Sequence, residues 1–339
     1  MTSIVSWPYQ RTDCSYIHHL YAALPAIADE ALEIFDYRPG RMWRRVPDVL
    51  HLHWPETALD HPWYPRALLR ALVVLVDIAY LKARGATVVW TRHDDGSHRQ
   101  THPRSERAFV SLYRRLTDGF IHLSNGSLEH FEHGGARQTV IAHGIGPIGA
   151  TSHDQRLAAK TSLGLGNEPV VGIVGRLQGY KNVIETIDAF GDVGRGRLLI
   201  AGEPIGDEYG AALRNRQGSD RVTMVLGRLS AADFDRCLQA CDVVLLPYSG
   251  HLNSGVAFEA LATPSRIAVS TSPAMQELQD LAGTEWVQMI SAPPTPEIIE
   301  EMIDWAAIPM DPSESRLADT WEQVAIETWS YLQALRASK

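Results

Sequence analysis

Short apolar runs alternate along this chain with longer stretches in which apolar residues recur every three or four positions. That alternation predicts strands separated by amphipathic helices. In the first half, residues 4–7, 49–53, 87–91, 119–124 and 139–142 read as strands, with helices over roughly 15–33, 64–83, 104–116 and 125–133. In the second half, strands are expected at 170–174, 197–201, 222–226, 243–246 and 266–270, again with amphipathic helices between them. Val170, Val171, Ile173 and Val174 are four apolar residues in five, which suits a parallel strand covered on both faces. Helix starts are marked by Ser230 with Asp233, by Ser272–Pro273 and Thr295–Pro296, and by Ser124–Asn125–Gly126 after a strand. Repeated βα units imply right-handed crossovers and parallel sheets. The pattern therefore predicts two α/β units joined near 148–168, where Gly, Thr, Ser and Asn cluster.

Length agrees with this division, since 339 residues leave ample core for two domains of about 150 residues each. The boundaries expected are 1–150, 166–313, and a last helix at about 314–339 that packs back on the first domain. Three cysteines, Cys14, Cys237 and Cys241, are too few and too scattered for a disulfide framework or a zinc site. Cys237 and Cys241 share a helical face and are expected to be core thiols. The first residues lack the charged start and long apolar run of a signal peptide. The longest apolar stretch, 71–81, is interrupted by Asp77 and too short to span a bilayer. A soluble, cytoplasmic protein is the expectation.

Charge is uneven. Residues 1–150 carry 16 Lys/Arg and 15 Asp/Glu, so the net charge of −9 comes from the second half. So acidic a chain is a poor partner for nucleic acid. Arg38, Arg41, Arg44 and Arg45 surround Trp43, and Trp54 and Trp63 follow. This group reads either as a peripheral contact with anionic lipid on the inner face of a membrane or as a solvated loop with stray aromatics.

Two segments carry the chemistry. In VVGIVGRLQGYK (170–181) a buried strand ends at Gly175, a turn bears Arg176 and Lys181, and a helix begins near Asn182. Cations where a strand meets a helix N-terminus suit a diphosphate, because helix dipole, backbone amides and side-chain charge act together. In LLPYSGHLNSGVAFEAL (245–261), Pro247 stops a strand and Asn253, Ser254 and Gly255 open a helix. Asn253 or Ser254 is expected to cap it, while Gly255 leaves room for a ligand at the amides. Glu259, one turn in, leans back toward the N-terminus and suits a ribose diol. Together these describe a nucleotide-diphosphate pocket. The plain alternatives are surface Arg and Lys at an ordinary βα loop and a solvated Glu259.

The pair GRLQGYK and NSGVAFEALATPSRIAVS resembles the donor-binding half of glycosyltransferases with the GT-B architecture of two Rossmann-like domains. The resemblance implies doubly wound parallel sheets facing an interdomain cleft, with Arg176 and Lys181 on the donor diphosphate and Glu259 on the ribose. That superfamily commonly carries Glu-x7-Glu, and His251 stands at the first position here. In the first half, WPYQ (7–10), LHWPE (52–56), WTRHDDGSH (90–98) and VIAHGIG (140–146) look like the pattern of xanthan-type exopolysaccharide β-mannosyltransferases. Asp94 stands where those relatives often have Asn.

His53, Glu56, His93 and His143 fall at the carboxyl ends of expected strands, where open α/β sheets bind ligands. By the resemblance, His93 touches the donor sugar or its phosphate. Glu56 is a candidate acceptor-side base, or caps a helix; His53, Trp54 and His143 are acceptor-side candidates. Neither donor segment itself contains an Asp-x-Asp metal motif, so metal-free transfer from a nucleotide-diphosphate sugar, GDP-mannose or a UDP-sugar, is expected. The acceptor is expected to be a saccharide, a lipid-linked sugar or a natural product. A nucleotide-sugar epimerase or hydrolase and a catalytically silent scaffold subunit are the alternatives on the same fold.

Overall fold

The computed structural model describes residues 1–8, 15–93, 101–129, 135–146, 152–216, 218–250, 254–263, 265–308 and 320–339. They form two compact units, Met1–Gly144 with Thr320–Lys339, and Ile145–Asp319.

The first unit is built on β1 (Thr2–Trp7), α1 (Ser15–Ile27), β2 (Leu32–Asp36), β3 (Val49–Leu52), α2 (Tyr64–Ala83), β4 (Thr87–Arg92), α3 (Pro103–Leu116), β5 (Gly119–His122), the short α4 (Asn125–Glu129) and β6 (Arg137–Val140). Its six strands run parallel in the order β2-β1-β3-β4-β5-β6. The C-terminal helix Trp321–Ala337 belongs to this unit and packs on α1, so the two cover one face of the sheet. Helices α2 and α3 cover the other face.

The second unit contains α5 (His153–Ser162), β7 (Val170–Val174), α6 (Val183–Phe190), β8 (Arg197–Gly202), α7 (Asp207–Arg214), β9 (Val222–Leu226), α8 (Ala231–Ala240), β10 (Val243–Leu246), α9 (Gly255–Ala262), β11 (Arg266–Ser270), α10 (Pro273–Ala282), β12 (Val287–Ile290) and α11 (Pro296–Ala307); the chain's last helix is α12. Its strands are parallel in the order β9-β8-β7-β10-β11-β12. Numbered within the unit this is 3-2-1-4-5-6, the doubly wound dinucleotide-binding order, whose topological switch lies between β7 and β10.

Several expectations need correction. The helix expected over 15–33 ends at Ile27, and residues 32–36 form β2 instead. Strand β12 also went unrecognised. Glu33 in β2 and Gln288 in β12 interrupt their short apolar segments, so neither shows a continuous apolar run. The polar segment expected as a join contains α5, started by a reciprocal capping box between Ser152 and Gln155. Ser230, Ser272 and Thr295 each accept a backbone N–H at the start of their helices, and Ser124 does so for Ser127. Cys237 and Cys241 are buried and unbridged; Cys14 lies outside the described residues.

One close approach positions the end of β7. A Cβ on Gly202, at φ +143°, would lie 1.7 Å from the carbonyl oxygen of Gly175. Gly202→Ala should therefore cost roughly 3 kcal/mol of stability through backbone strain and overpacking. A denaturant melt unchanged from wild type would contradict this packing.

Candidate active site

The donor-type residues of the second unit gather at its switch point. Gly175–Lys181 follows β7 and Pro247–Gly255 follows β10. The two connections are tied together directly. Ser249 donates its backbone N–H to the Tyr180 carbonyl at 2.7 Å. The Asn182 amide donates to the Pro247 carbonyl at 2.7 Å and to Ser249 Oγ at 2.9 Å. Asn182 pays for this position with a left-handed backbone, φ 49°. The rings of Tyr180 and Tyr248 meet edge to face at 5.6 Å.

Lys181 closes a 3-10 turn (Gly179–Lys181), is only 5% exposed, and holds Nζ 4.6 Å from the centroid of the Tyr248 ring. A Cβ on Gly175 would lie 3.9 Å from that ammonium and 3.3 Å from Val256 in the first turn of α9. A cation, a stripped glycine turn and a helix start therefore converge within one unit. Arg176 is exposed beside them. Glu259 lies one turn into α9 and is half-buried, its side chain leaning toward the helix start.

One detail differs from expectation. Ser254 occupies the N-cap position of α9, but its hydroxyl makes no capping bond. It is buried and lies against Tyr248, whose phenol is pushed well above its ordinary pKa by burial, with the Ser254 hydroxyl pulling slightly back. The first-turn amides of α9 are thus not taken by a Ser254 cap, which favours an external anion there. His251 and Asn253 lie outside the described residues.

The first unit assembles a chain of histidines on β3 and β4. His51 and His53 share a face because strand side chains repeat every second residue. Hydrogen bonds run from Thr91 Oγ1 to His51 Nε2 (2.7 Å), from His51 Nδ1 to the Tyr21 hydroxyl (2.9 Å), on to His53 Nε2 (3.1 Å), and from His53 Nδ1 to His93 Nε2 (3.1 Å). Trp54 stacks on His93 at 4.2 Å. Tyr16 presents its ring to His53, His93 and His143, and Trp321 of α12 packs against Tyr16 and His143.

Burial sets the protonation of this group. His51 is driven down to about 3 by loss of solvent. His53 is held well below its ordinary range by burial, then by His51 and His93. His143 falls to about 4, chiefly through burial, with its bond to the Gly144 carbonyl opposing and His19 adding to the fall. At neutral pH these three rings are uncharged. A neutral imidazole has one donor and one acceptor, so His51 and His53 each donate one of these bonds and accept the other. The bond to His53 fixes the His93 Nε2 edge.

Glu56 sits in a 3-10 turn (Pro55–Leu59) and is 4% exposed. Its charge reaches Tyr113, as does that of Arg92. Glu56, the last residue of LHWPE, is thus buried on the side of Tyr113 in α3. Gly144 has a plain packing reason: a Cβ there would lie 2.4 Å from the Trp321 ring.

Tyr16, Tyr21, His51 and Trp321 escaped the sequence-based site. The spacing Tyr16, Leu20, Tyr21, Leu24 marks the inner face of α1, and the His-x-His of β3 marks one strand face. Neither signal says that the two faces meet. Among the described residues, no group of three His, Cys, Asp or Glu side chains is arranged to hold a metal ion.

With this geometry in place, comparison with known proteins is informative. Residues 168–304 match the family model described as Glycosyl transferases group 1. A GDP-mannose:glycolipid 4-beta-D-mannosyltransferase of Xanthomonas campestris pv. campestris is 25% identical over 333 residues, spanning 94% of this chain and 88% of the relative. HepE of Anabaena, solved with UDP-glucose, superposes with a TM-score of 0.67 at 16% identity, covering 100% of this chain and 98% of that one. Sucrose-phosphate synthase of Thermosynechococcus elongatus gives 0.66 at 15% identity, covering 100% and 97%. The whole chain has the two-unit fold of these GT-B glycosyltransferase structures. Residues 168–304 form its group 1 glycosyl transferase domain.

Proposed function

We propose that this protein transfers a sugar, without a metal ion, from a nucleotide-diphosphate donor to a saccharide or lipid-linked saccharide. The observation that carries the reading is the convergence of Lys181, Gly175 and the first turn of α9 at the switch point of the second sheet. A departing nucleoside diphosphate accumulates negative charge, and a fixed cation beside a helix N-terminus stabilises it without reorganisation. Lys181 and Arg176 take that role, the α9 amides assist, and Glu259 accepts from the ribose hydroxyls. Mannose is the favoured sugar and GDP the favoured base, since the Xanthomonas relative is named for GDP-mannose and a glycolipid.

His93 serves the transferred sugar or its phosphate, held at Nε2 by His53 and on its face by Trp54. His53, Trp54 and His143 shape the acceptor side, while Glu56 supports the turn that carries Trp54. No observation favours the epimerase or scaffold readings. The test is nucleoside diphosphate release from a panel of nucleotide sugars, with and without a saccharide or glycolipid acceptor and with chelator present throughout. Acceptor-dependent release that persists in chelator supports the proposal. Release that ignores the acceptor identifies a hydrolase instead. His93→Ala should abolish transfer while nucleotide affinity stays within about twofold, a change worth under 1 kcal/mol; transfer at the wild-type rate removes His93 from the mechanism.

For the ribose contact, Glu259→Gln should weaken nucleotide binding more than binding of inorganic pyrophosphate. Equal losses for the two ligands would take Glu259 away from the ribose.

A further inference from the structure

Helix α2 is apolar on two opposite sides. Ala67, Ala71, Val74, Ile78 and Leu81 are buried against the first sheet. On the outer side, Leu68, Leu69, Leu72 and Val76 are exposed, Leu69 at 61% and Leu72 at 57%. With about 100° between successive residues, these four fall within about 100° of arc. The apolar surface continues past both edges of the helix. Trp63, 64% exposed, precedes it, and Tyr64 at its start reaches Ser105 in the first turn of α3 with a 2.8 Å hydrogen bond. Trp43 is exposed on the other edge, its indole nitrogen anchored on Asp77 at 2.6 Å and its ring 5.6 Å from Tyr80. Leu112 of α3 is exposed as well.

Soluble proteins rarely leave so much contiguous apolar surface uncovered without a partner for it. The charge of the face identifies the partner. Helices α2 and α3 carry Arg66, Arg70, Lys82, Arg104, Arg107, Arg114 and Arg115, and their two acidic residues, Asp77 and Glu106, are both buried. A wholly cationic outer surface on a chain of net charge −9 is a local concentration of positive charge. Arg66 and Arg70 flank the leucine stripe, while Arg104, Arg107 and Arg115 are exposed along α3. Leucine and interfacial aromatics beside arginines match the boundary between lipid headgroups and acyl chains, where apolar side chains enter and guanidinium groups meet phosphate. No helix among the described residues is long and apolar enough to cross a membrane. Helix α2 is moreover pinned to the sheet by its inner face, so it can lie on a bilayer only sideways.

We propose that the outer face of α2 and α3, with Trp43 and Trp63 at its edges, docks on an anionic lipid bilayer. This surface shares Trp43 and Trp63 with the group read from the sequence and adds the outer face of α2 and α3. Arg38, Arg41 and Arg45 instead line a cleft of about 350 Å³ between β2 and the Trp43 turn, and Trp54 turns inward to His93. The inference holds whatever sugar or acceptor is used.

The experiment is co-sedimentation of the full chain with phosphatidylcholine vesicles, with and without phosphatidylglycerol, at low and raised salt. Binding should require the anionic lipid and fall with salt. Arg66→Glu with Arg70→Glu should weaken it by more than tenfold, given roughly fivefold for each arginine at the surface. Leu69→Ser with Leu72→Ser should lower binding even at low salt. These residues are exposed, so both variants should melt like the wild type. Failure of the wild type to bind anionic vesicles, or binding indifferent to lipid charge or to both variants, would overturn the proposal. So would a wild-type dimer in solution that the leucine pair converts to monomer, since a second copy would then own the face.

Discussion

Replacing Lys181 and Arg176 together by alanine is expected to remove most of the affinity for a nucleoside diphosphate. Each charge-assisted hydrogen bond is worth on the order of 1–3 kcal/mol, so the pair should cost between about thirtyfold and twenty-thousandfold in Kd. The larger share belongs to Lys181. Its ammonium is held 4.6 Å over the Tyr248 ring in a buried position, whereas Arg176 is exposed and screened by solvent. Lys181→Arg should not restore affinity, because a planar guanidinium fork presents its donors differently from the compact ammonium held over Tyr248. The loss should appear equally with inorganic pyrophosphate, which shares the diphosphate and lacks base and ribose. Unchanged Kd in folded single variants would place the diphosphate elsewhere.

Acid should unfold the first unit before most carboxylates titrate. His51, His53 and His143 are uncharged when folded and have ordinary values near 6.5 when unfolded, so below that pH the unfolded chain binds more protons. Their contribution is fully present above pH 6.5 and is lost as pH falls toward about 4 for His143 and about 3 for His51. From pH 7 to pH 5 the two together cost on the order of 4 kcal/mol, a large share of a typical domain's stability. Each proton taken up adds about 1.4 kcal/mol per pH step, so His143→Gln should make the pH dependence shallower by about that amount. Thermal melts followed from pH 7 to pH 5 check this. A flat profile would mean that the rings are charged, or solvated, in the folded protein.

Legibility in the sequence followed the continuity of the apolar pattern. Strand β7 and helix α2 are visible to the residue because each carries an uninterrupted signal: a run covered on both faces in one, and 20 residues opened by a proline in the other. Strands β2 and β12 are not, since Glu33 and Gln288 interrupt their short apolar runs, whereas the partly buried edge strand β9 is legible from Val-Thr-Met-Val-Leu. Helix α5 was hidden by its polar composition, although Ser152 and Gln155 had the spacing of a capping box. Residues such as Lys181 and His93 stand out in the sequence one at a time, through the motifs that carry them. The links among them were not, because the Tyr21 bridge between His51 and His53 joins side chains 30 and 32 residues apart. The switch point that seats both donor segments depends on strand order, which no local pattern encodes.

The most direct measurement is calorimetric titration of the purified protein with GDP, UDP and ADP, first without divalent metal and then with it. Saturable binding of one nucleotide in preference to the others, unaffected by metal, is the predicted result. Absence of binding to all three, or binding that appears only with metal, would contradict a pocket built from Lys181, Arg176 and the start of α9.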